Sequence, residues 1–340
     1  MRLQIKVIVT ILVLFISGCA RSTPHREFVL GTICSVNLYE YDNRETINKI
    51  FSRLREIEDI FSANKDGTEI DKINKSSGIA PVKVSDELIR VLERSVYFAE
   101  LSSGAFDPTI GTLVKLWGIG GDNAAVPAQT EINMALTLVD WRLIEIDKEN
   151  KTVFLAKEGM ALDLGGIAKG YAADQAAIIA RNAGVKKAII DLGGNIYAIG
   201  KKQTKSFFKK DEPWKIGVQN PNLERGNFIG VAAVQDSTLV TSGVYERYFE
   251  SEGNRYHHIL STGTGFPAES GLLSVTITNN AADNATASMD ADALSTAVFI
   301  LGEAKGKELL KNFETASAVF VHPDGTITTS GDFDFVKTED

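Results

Sequence analysis

Several short stretches of this chain place oxygen, nitrogen and glycine groups at spacings that chemistry can use. One is Asp163-Leu164-Gly165-Gly166-Ile167-Ala168-Lys169-Gly170. Free N–H groups at a helix start attract anions, glycine lets a phosphate come close, and Lys169 adds positive charge. The spacing fits neither the Walker A loop nor the G-x-G-x-x-G fingerprint, and a glycine turn that only packs strand against helix explains it equally well. Another is Asp290-Ala291-Asp292-Ala293-Leu294-Ser295-Thr296. Asp292 and Thr296 stand four apart and share a helix face. A carboxylate beside a hydroxyl suits a hard cation such as Mg2+. The bland alternative has Asp290 capping the helix, Asp292 favouring its positive end and Thr296 turned to the core.

The stretch Arg255 to Gly265 holds two of the four histidines. On an alternating strand His257 and His258 point to opposite sides, one inward and one outward. With no further His or Cys nearby, zinc is a poor reading, whereas one histidine near neutral pH can serve as acid or base. Two glycine-bearing clusters, Ser103 to Pro108 and Thr241 to Arg247, offer hydroxyls and backbone amides to a phosphate, or simply form turns.

These groups need elements to hold them. The spacing predicts a strand over Phe28 to Tyr41 and helices over Ile47 to Phe61 and Leu88 to Ala99, the second capped by Ser85. Phe61 to Asn74 and Ser102 to Gly121 read as loops, and Ile132 to Val139 as a short helix. Leu143 to Ile146 and Thr152 to Leu155 form a hairpin. Ala161 to Leu164 reads as a strand leading into the glycines, and Ile167 to Asn182 as a helix stopped by Gly184. Helices over Ala291 to Leu301 and Lys305 to Phe313 interrupt a second half dominated by strands that arrive as hairpins. The expected fold is therefore α+β, with largely antiparallel sheets, flanking helices and a ligand cleft between two sub-regions.

Composition bounds the function. The 340 residues are 44% hydrophobic, which excludes a disordered chain. A formal charge of −8 and the absence of a Lys/Arg block argue against general nucleic-acid binding. Two cysteines make no disulfide framework, and Cys34, in an apolar run, reads as a small buried hydrophobe. Arg2 and Lys6 precede the apolar run Val7 to Ile16, too short to span a bilayer but right for a signal peptide. It ends in Ser17-Gly18-Cys19, which resembles a bacterial lipobox. The expectation is a signal peptide over 1–18, a tether over 19–27 lipidated at Cys19, and one domain over 28–336. The chain would be exported and lipid-anchored to a bacterial membrane, facing the periplasm or cell exterior.

Read in order, the motifs resemble the ApbE-type flavin transferases. The matching residues are Gly31-Thr32, Phe61-Ser62 with Glu69-Ile70 and Asn74, Ser103 to Pro108 with Leu116-Trp117-Gly118, Asp163 to Gly170, Asp191 to Asn195, Thr241 to Arg247, His258 to Gly265, and Ala291 to Thr296 before Gly302. The resemblance implies a Mg2+-dependent enzyme that moves the FMN part of FAD onto a threonine hydroxyl of an acceptor protein and releases AMP. It places metal ligands at Asp292, Thr296 and the Gly166 carbonyl, and the functional histidine at His258. It places contacts to FAD at Asn64, Glu69, Gly104, Ala105, Phe106, Asp107, Trp117, Asp163, Gly165, Asp191, Ser242, Gly243, Arg247 and Thr264. The acceptors it implies are flavoproteins of membrane redox complexes. The chain departs from the family pattern at Ser62-Ala63-Asn64, where Ser-Thr-Tyr is common, at Ser261-Thr262 and at Val244.

The residues read on their own agree with that chemistry. Attack at a diphosphate needs positioning and charge neutralisation. Mg2+ at Asp292 and Thr296, amides near Gly166 and Gly243, and Lys169 would supply the electrostatics, and His258 the base. Two alternatives use the same segments: a Mg2+-dependent FAD pyrophosphatase giving FMN and AMP, and a non-catalytic flavin-binding lipoprotein.

Overall fold

A computed structural model describes residues 23–39, 43–202 and 210–338. The expectations for the signal peptide, for lipidation at Cys19 and for Tyr41 fall outside these residues. The helices are α1 (Arg44–Phe61), α2 (Glu69–Lys75), α3 (Asp86–Leu101), α4 (Gly111–Trp117), α5 (Gln129–Leu136), α6 (Ala168–Asn182) and α7 (Ala287–Leu310). The strands are β1 (His25–Val29), β2 (Thr32–Leu38), β3 (Val82–Lys83), β4 (Ile144–Asp147), β5 (Thr152–Leu155), β6 (Ala188–Leu192), β7 (Asn195–Ile199), β8 (Trp214–Gln219), β9 (Phe228–Val234), β10 (Ser237–Gly243), β11 (Tyr248–Ser251), β12 (Asn254–His257), β13 (Ser274–Asn280), β14 (Ala316–Val321), β15 (Ile327–Ser330) and β16 (Phe335–Lys337).

Local chemistry explains the helices. In α1, Ile47, Ile50, Phe51, Leu54, Ile57 and Phe61 line one buried face, and the Asn43 side chain accepts the Thr46 N–H at 3.1 Å. Ser85 does the same for Leu88 at the start of α3. An antiparallel eight-stranded sheet in the order β1-β2-β6-β7-β10-β13-β14-β15 forms the centre. The main apolar cluster joins it to α1, α6 and α7 on one face. The small sheet β16-β9-β8 covers the other through Trp214, Val218 and Val234 against Leu239, Val319 and Val321. Every residue of β14 is consequently buried, and apart from Ser317 it reads as an apolar run. A third cluster, with Leu113, Trp117, Ile132 and Leu260, ties α4 and α5 to the β11–β12 hairpin. Among the described residues no helix is long and apolar enough to cross a membrane.

The structure corrects several expectations. Phe28 to Tyr41 is not one strand: Leu30 and Gly31 both take positive φ and fold it into the β1–β2 hairpin. Phe61 to Asn74 contains α2, and Ser102 to Gly121 contains α4. Ala161 to Leu164 forms only an isolated bridge from Ala161 to Ile110. The break expected between the helices over Ala291 to Leu301 and Lys305 to Phe313 is present, since Gly302 is non-helical (φ 75°, ψ 174°) and splits α7 into two segments; only the start differs, lying earlier at Ala287.

Candidate functional site

The site lies where the N-terminal turns of α6 and α7 cross. The first N–H groups of any helix lack partners within it. Here three of those N–H groups, one on α6 and two on α7, are met by a carboxylate from the opposite helix. The Gly170 N–H donates to Asp292 Oδ2 at 2.8 Å. The Ser288 and Met289 N–H groups donate to Asp174 at 3.0 and 2.9 Å. Position 170 must be glycine, because a Cβ there would overlap the Ser288 carbonyl and the Met289 Cα. Two positive helix ends therefore meet, and Lys169 adds its charge to both Asp292 and His258.

Asp292 is 3% exposed. Burial pushes its carboxyl above the usual range, and Lys169 and the Gly170 amide pull the other way. Oδ2 takes the Gly170 amide, so Oδ1 is the oxygen left for a cation. Thr296, one turn on, lies against Gly166: a Cβ built on Gly166 would sit 3.2 Å from Thr296 Oγ1 and 3.1 Å from the Phe106 ring. The hydroxyl thus lies against the Gly166 backbone, one helical turn from the buried Asp292 carboxylate. All are hard oxygen donors, the set that Mg2+ accepts. Among the described residues no group of three or more His, Cys, Asp and Glu is placed to hold a metal. The fit is to an ion that completes its shell with water or phosphate oxygens.

Hydroxyls extend the site onto β10. Ser295 Oγ donates to the Asp292 carbonyl at 2.8 Å and lies 2.8 Å from Ser242 Oγ. With its own proton committed, Ser295 accepts from Ser242. The lone pairs of Ser242 then face Thr296 Oγ1, 3.5 Å away.

The two histidines divide as alternation requires. His257 is buried edge-on against Phe299 and accepts the Ile259 N–H; burial pushes its pKa down to about 4. His258 is partly open to solvent but ringed by protein. Its Nδ1 lies 3.2 Å from the Arg247 carbonyl, which can only accept, so Nδ1 carries the proton and Nε2 keeps its lone pair. Desolvation, then the Arg247 and Lys169 cations, push the His258 pKa down to about 3. The ring is a neutral acceptor at neutral pH.

Other predicted contacts shape the loops. Asp107 is 7% exposed and spends its oxygens on Thr109 and on the Trp141 N–H. Asp163 accepts the Gly165 N–H at 2.7 Å, and Asp191 the Gly194 N–H at 2.9 Å, setting the two glycine turns. Trp117 is fully buried and donates Nε1–H to the Gly265 carbonyl at 2.7 Å, fixing the loop after His258. Glu69 accepts the N–H and the hydroxyl of Ser85, tying α2 to α3. Gly104 offers its carbonyl to Thr262 Oγ1 at 2.7 Å, joining the loops that carry Ala105 and Thr264. Gly243 has no room for a side chain beside Tyr245 and Ser274, while Asn64 and Arg247 are exposed.

Asp290, read as a possible cap, instead takes a bidentate bond from Arg94 (2.7 and 2.9 Å). Sequence reasoning missed Asp174, Arg94 and Ser288. A lone aspartate within the alanine run Ala172 to Ala177 was the available signal.

Two concavities lie elsewhere. One of about 170 Å3 borders Asp332 and Asp334, and one of about 540 Å3 runs along the β4–β5 hairpin by Glu145, Asp147 and Glu149. Neither contains a predicted site residue.

The model of the ApbE family matches residues 30–321. The FAD:protein FMN transferase of Treponema pallidum is 40% identical over 321 residues, which cover 91% of this chain and 87% of that protein. That of Klebsiella pneumoniae is 34% identical over 293 residues, 86% and 87% of the two chains. The ApbE protein from Thermotoga maritima superposes with a TM-score of 0.78 at 36% identity, over 91% of this chain and 97% of that one. A histidine-to-glycine variant of the Vibrio cholerae flavin transferase ApbE superposes with a TM-score of 0.76 at 25% identity, over 92% and 98%.

Proposed function

This chain belongs to the ApbE family and is an enzyme that transfers FMN from FAD, and on that footing we propose that the transfer is Mg2+-dependent, ends on a threonine hydroxyl and runs at the crossing of α6 and α7. The observation that carries this reading is Thr296 against the Gly166 backbone, one turn from the buried Asp292, with the Lys169 charge acting on both Asp292 and a histidine held neutral. Asp292, Thr296 and the Gly166 carbonyl would hold the ion. When bound, Mg2+ neutralises charge on the diphosphate and on the departing AMP.

The chain's own groups do the rest. The converging helix ends and Lys169 attract the diphosphate and hold it in place. His258 Nε2 takes the proton of the threonine hydroxyl. The threonine oxygen bonds to the FMN phosphorus as the bond from that phosphorus to the bridging oxygen breaks, and AMP leaves with the oxygen. Hydrolysis, with water in place of threonine, competes at the same atoms. The exposed Asn64, on a loop where no aromatic ring stands, favours it.

The test incubates the protein with FAD and Mg2+, with and without a co-expressed candidate flavoprotein. An FMN adduct on an acceptor threonine, seen by mass spectrometry, with AMP release that depends on the acceptor is the expected result. Fast AMP release without acceptor and no adduct would replace transfer by hydrolysis. Tight stoichiometric FAD with no turnover would leave a binding protein.

A lipid anchor on Cys19 and export to the outer face of a membrane complete the proposal, which rests on the Ser17-Gly18-Cys19 junction after an apolar run. Cys19→Ser should move the protein from the membrane fraction to the soluble one. An unchanged distribution would remove the anchor from the account.

A further inference from the structure

The helices that carry the site meet through small residues. The buried side of α6 includes Gly170, Ala173 and Ala177, and the first turns of α7 include Ala287 and Ala291. Such faces have shallow ridges and grooves, so side-chain packing says little about how far one helix has slid along the other. Yet the site tolerates little sliding. Gly166 and Lys169 belong to the α6 side, Asp292 and Thr296 to α7, and a slip of one residue displaces them by about 1.5 Å.

Polar bonds supply the missing register. Asp292 on α7 accepts the Gly170 N–H on α6; one turn along each helix in opposite directions, Asp174 on α6 accepts the Ser288 and Met289 N–H groups on α7. Asp174 is 2% exposed. The first turn of α7 is held further by Ser288 Oγ donating to Asn195 at 2.7 Å and by Thr238 donating to Ser288 Oγ at 3.0 Å. Burying a charge is costly, and fixing a register is the best-attested use of one.

We propose that Asp174 is a positioning residue of the metal centre: with Asp292 it forms a reciprocal clamp that sets the register of α6 against α7, and so the placement of the Gly166 carbonyl relative to Asp292 and Thr296. This rests on the Mg2+ reading above. Asp174 touches neither substrate nor ion.

The experiment titrates the full chain with Mn2+ followed by electron paramagnetic resonance, beside a thermal melt. Asp174→Asn keeps the volume but turns an amide donor toward a backbone N–H. It should weaken Mn2+ binding at least tenfold. The Mg2+ concentration for half-maximal AMP release should rise by a similar factor, with a smaller loss in the rate at saturating Mg2+. Val319→Ala, in the cluster on the far face of the sheet, controls for lost stability and should bind Mn2+ within twofold of the parent. If Asp174→Asn does not accumulate, Asp174→Ser reads the same quantity. An Asp174 variant that binds Mn2+ like the parent overturns the clamp, as does an equal loss in Val319→Ala. A parent protein that binds no Mn2+, or binds it unchanged in Asp292→Asn, overturns the metal reading and the clamp with it.

Discussion

Asp292→Asn should lower AMP release from FAD about a thousandfold, equivalent to about 4 kcal/mol of barrier. Asparagine keeps the side-chain volume and an oxygen to accept the Gly170 N–H, so the crossing of the two helices survives. What it removes is the carboxylate charge one turn from Thr296, which lies against Gly166. A protein ligand set with a single anionic member loses most of its attraction for a divalent ion when that member goes neutral. The measurement is chromatographic AMP release against Mg2+ concentration, with a melting curve as control. A variant that melts normally and keeps the parental Mg2+ curve would show that the ion, if used, sits elsewhere.

His258→Ala should cut FMN transfer by about 10² to 10⁴, the span of general-base catalysis, with FAD binding largely kept. The pH profile gives the sharper test. His258 faces Arg247 and Lys169, with His257 behind it, and its pKa is pushed down to about 3. A base works when unprotonated. The rate therefore falls, through this group, only as pH drops toward 3, and from about pH 5 upward His258 adds no slope. An ordinary histidine would break the profile near 6.5. A break there that vanishes in His258→Ala would mean that the ring is charged in the working enzyme and that another group takes the proton.

Much of this arrangement can be read from the chain, because its signals are local. The apolar spacing of α1, the Ser85 cap and the Asp292–Thr296 pair each depend on residues within a turn or two of one another. What stays hidden has its cause far away in sequence. The start of α7 at Ala287 has no side-chain cap of its own; the carboxylate that satisfies its first amides is 114 residues upstream of Ser288. The break between β1 and β2 places Leu30 at positive φ, a conformation that leucine does not advertise. The short α4 begins at Gly111, whose amide is held by the Ala161 carbonyl, and ends in a tryptophan locked to Gly265. Asp107, Glu69 and Trp117 look like ligand contacts in a motif; within the protein both Asp107 oxygens, Glu69 Oε2 and the Trp117 Nε1–H also have partners of their own.

Cys34 sits on β2 with no exposed surface, and burial raises its pKa to about 12. Thiolate is the form that attacks disulfides and oxidants, so this sulfur is redox-silent. Cys34 is the one cysteine among the described residues, so under oxidising conditions that part of the fold neither needs a disulfide nor offers a sulfur to a neighbour.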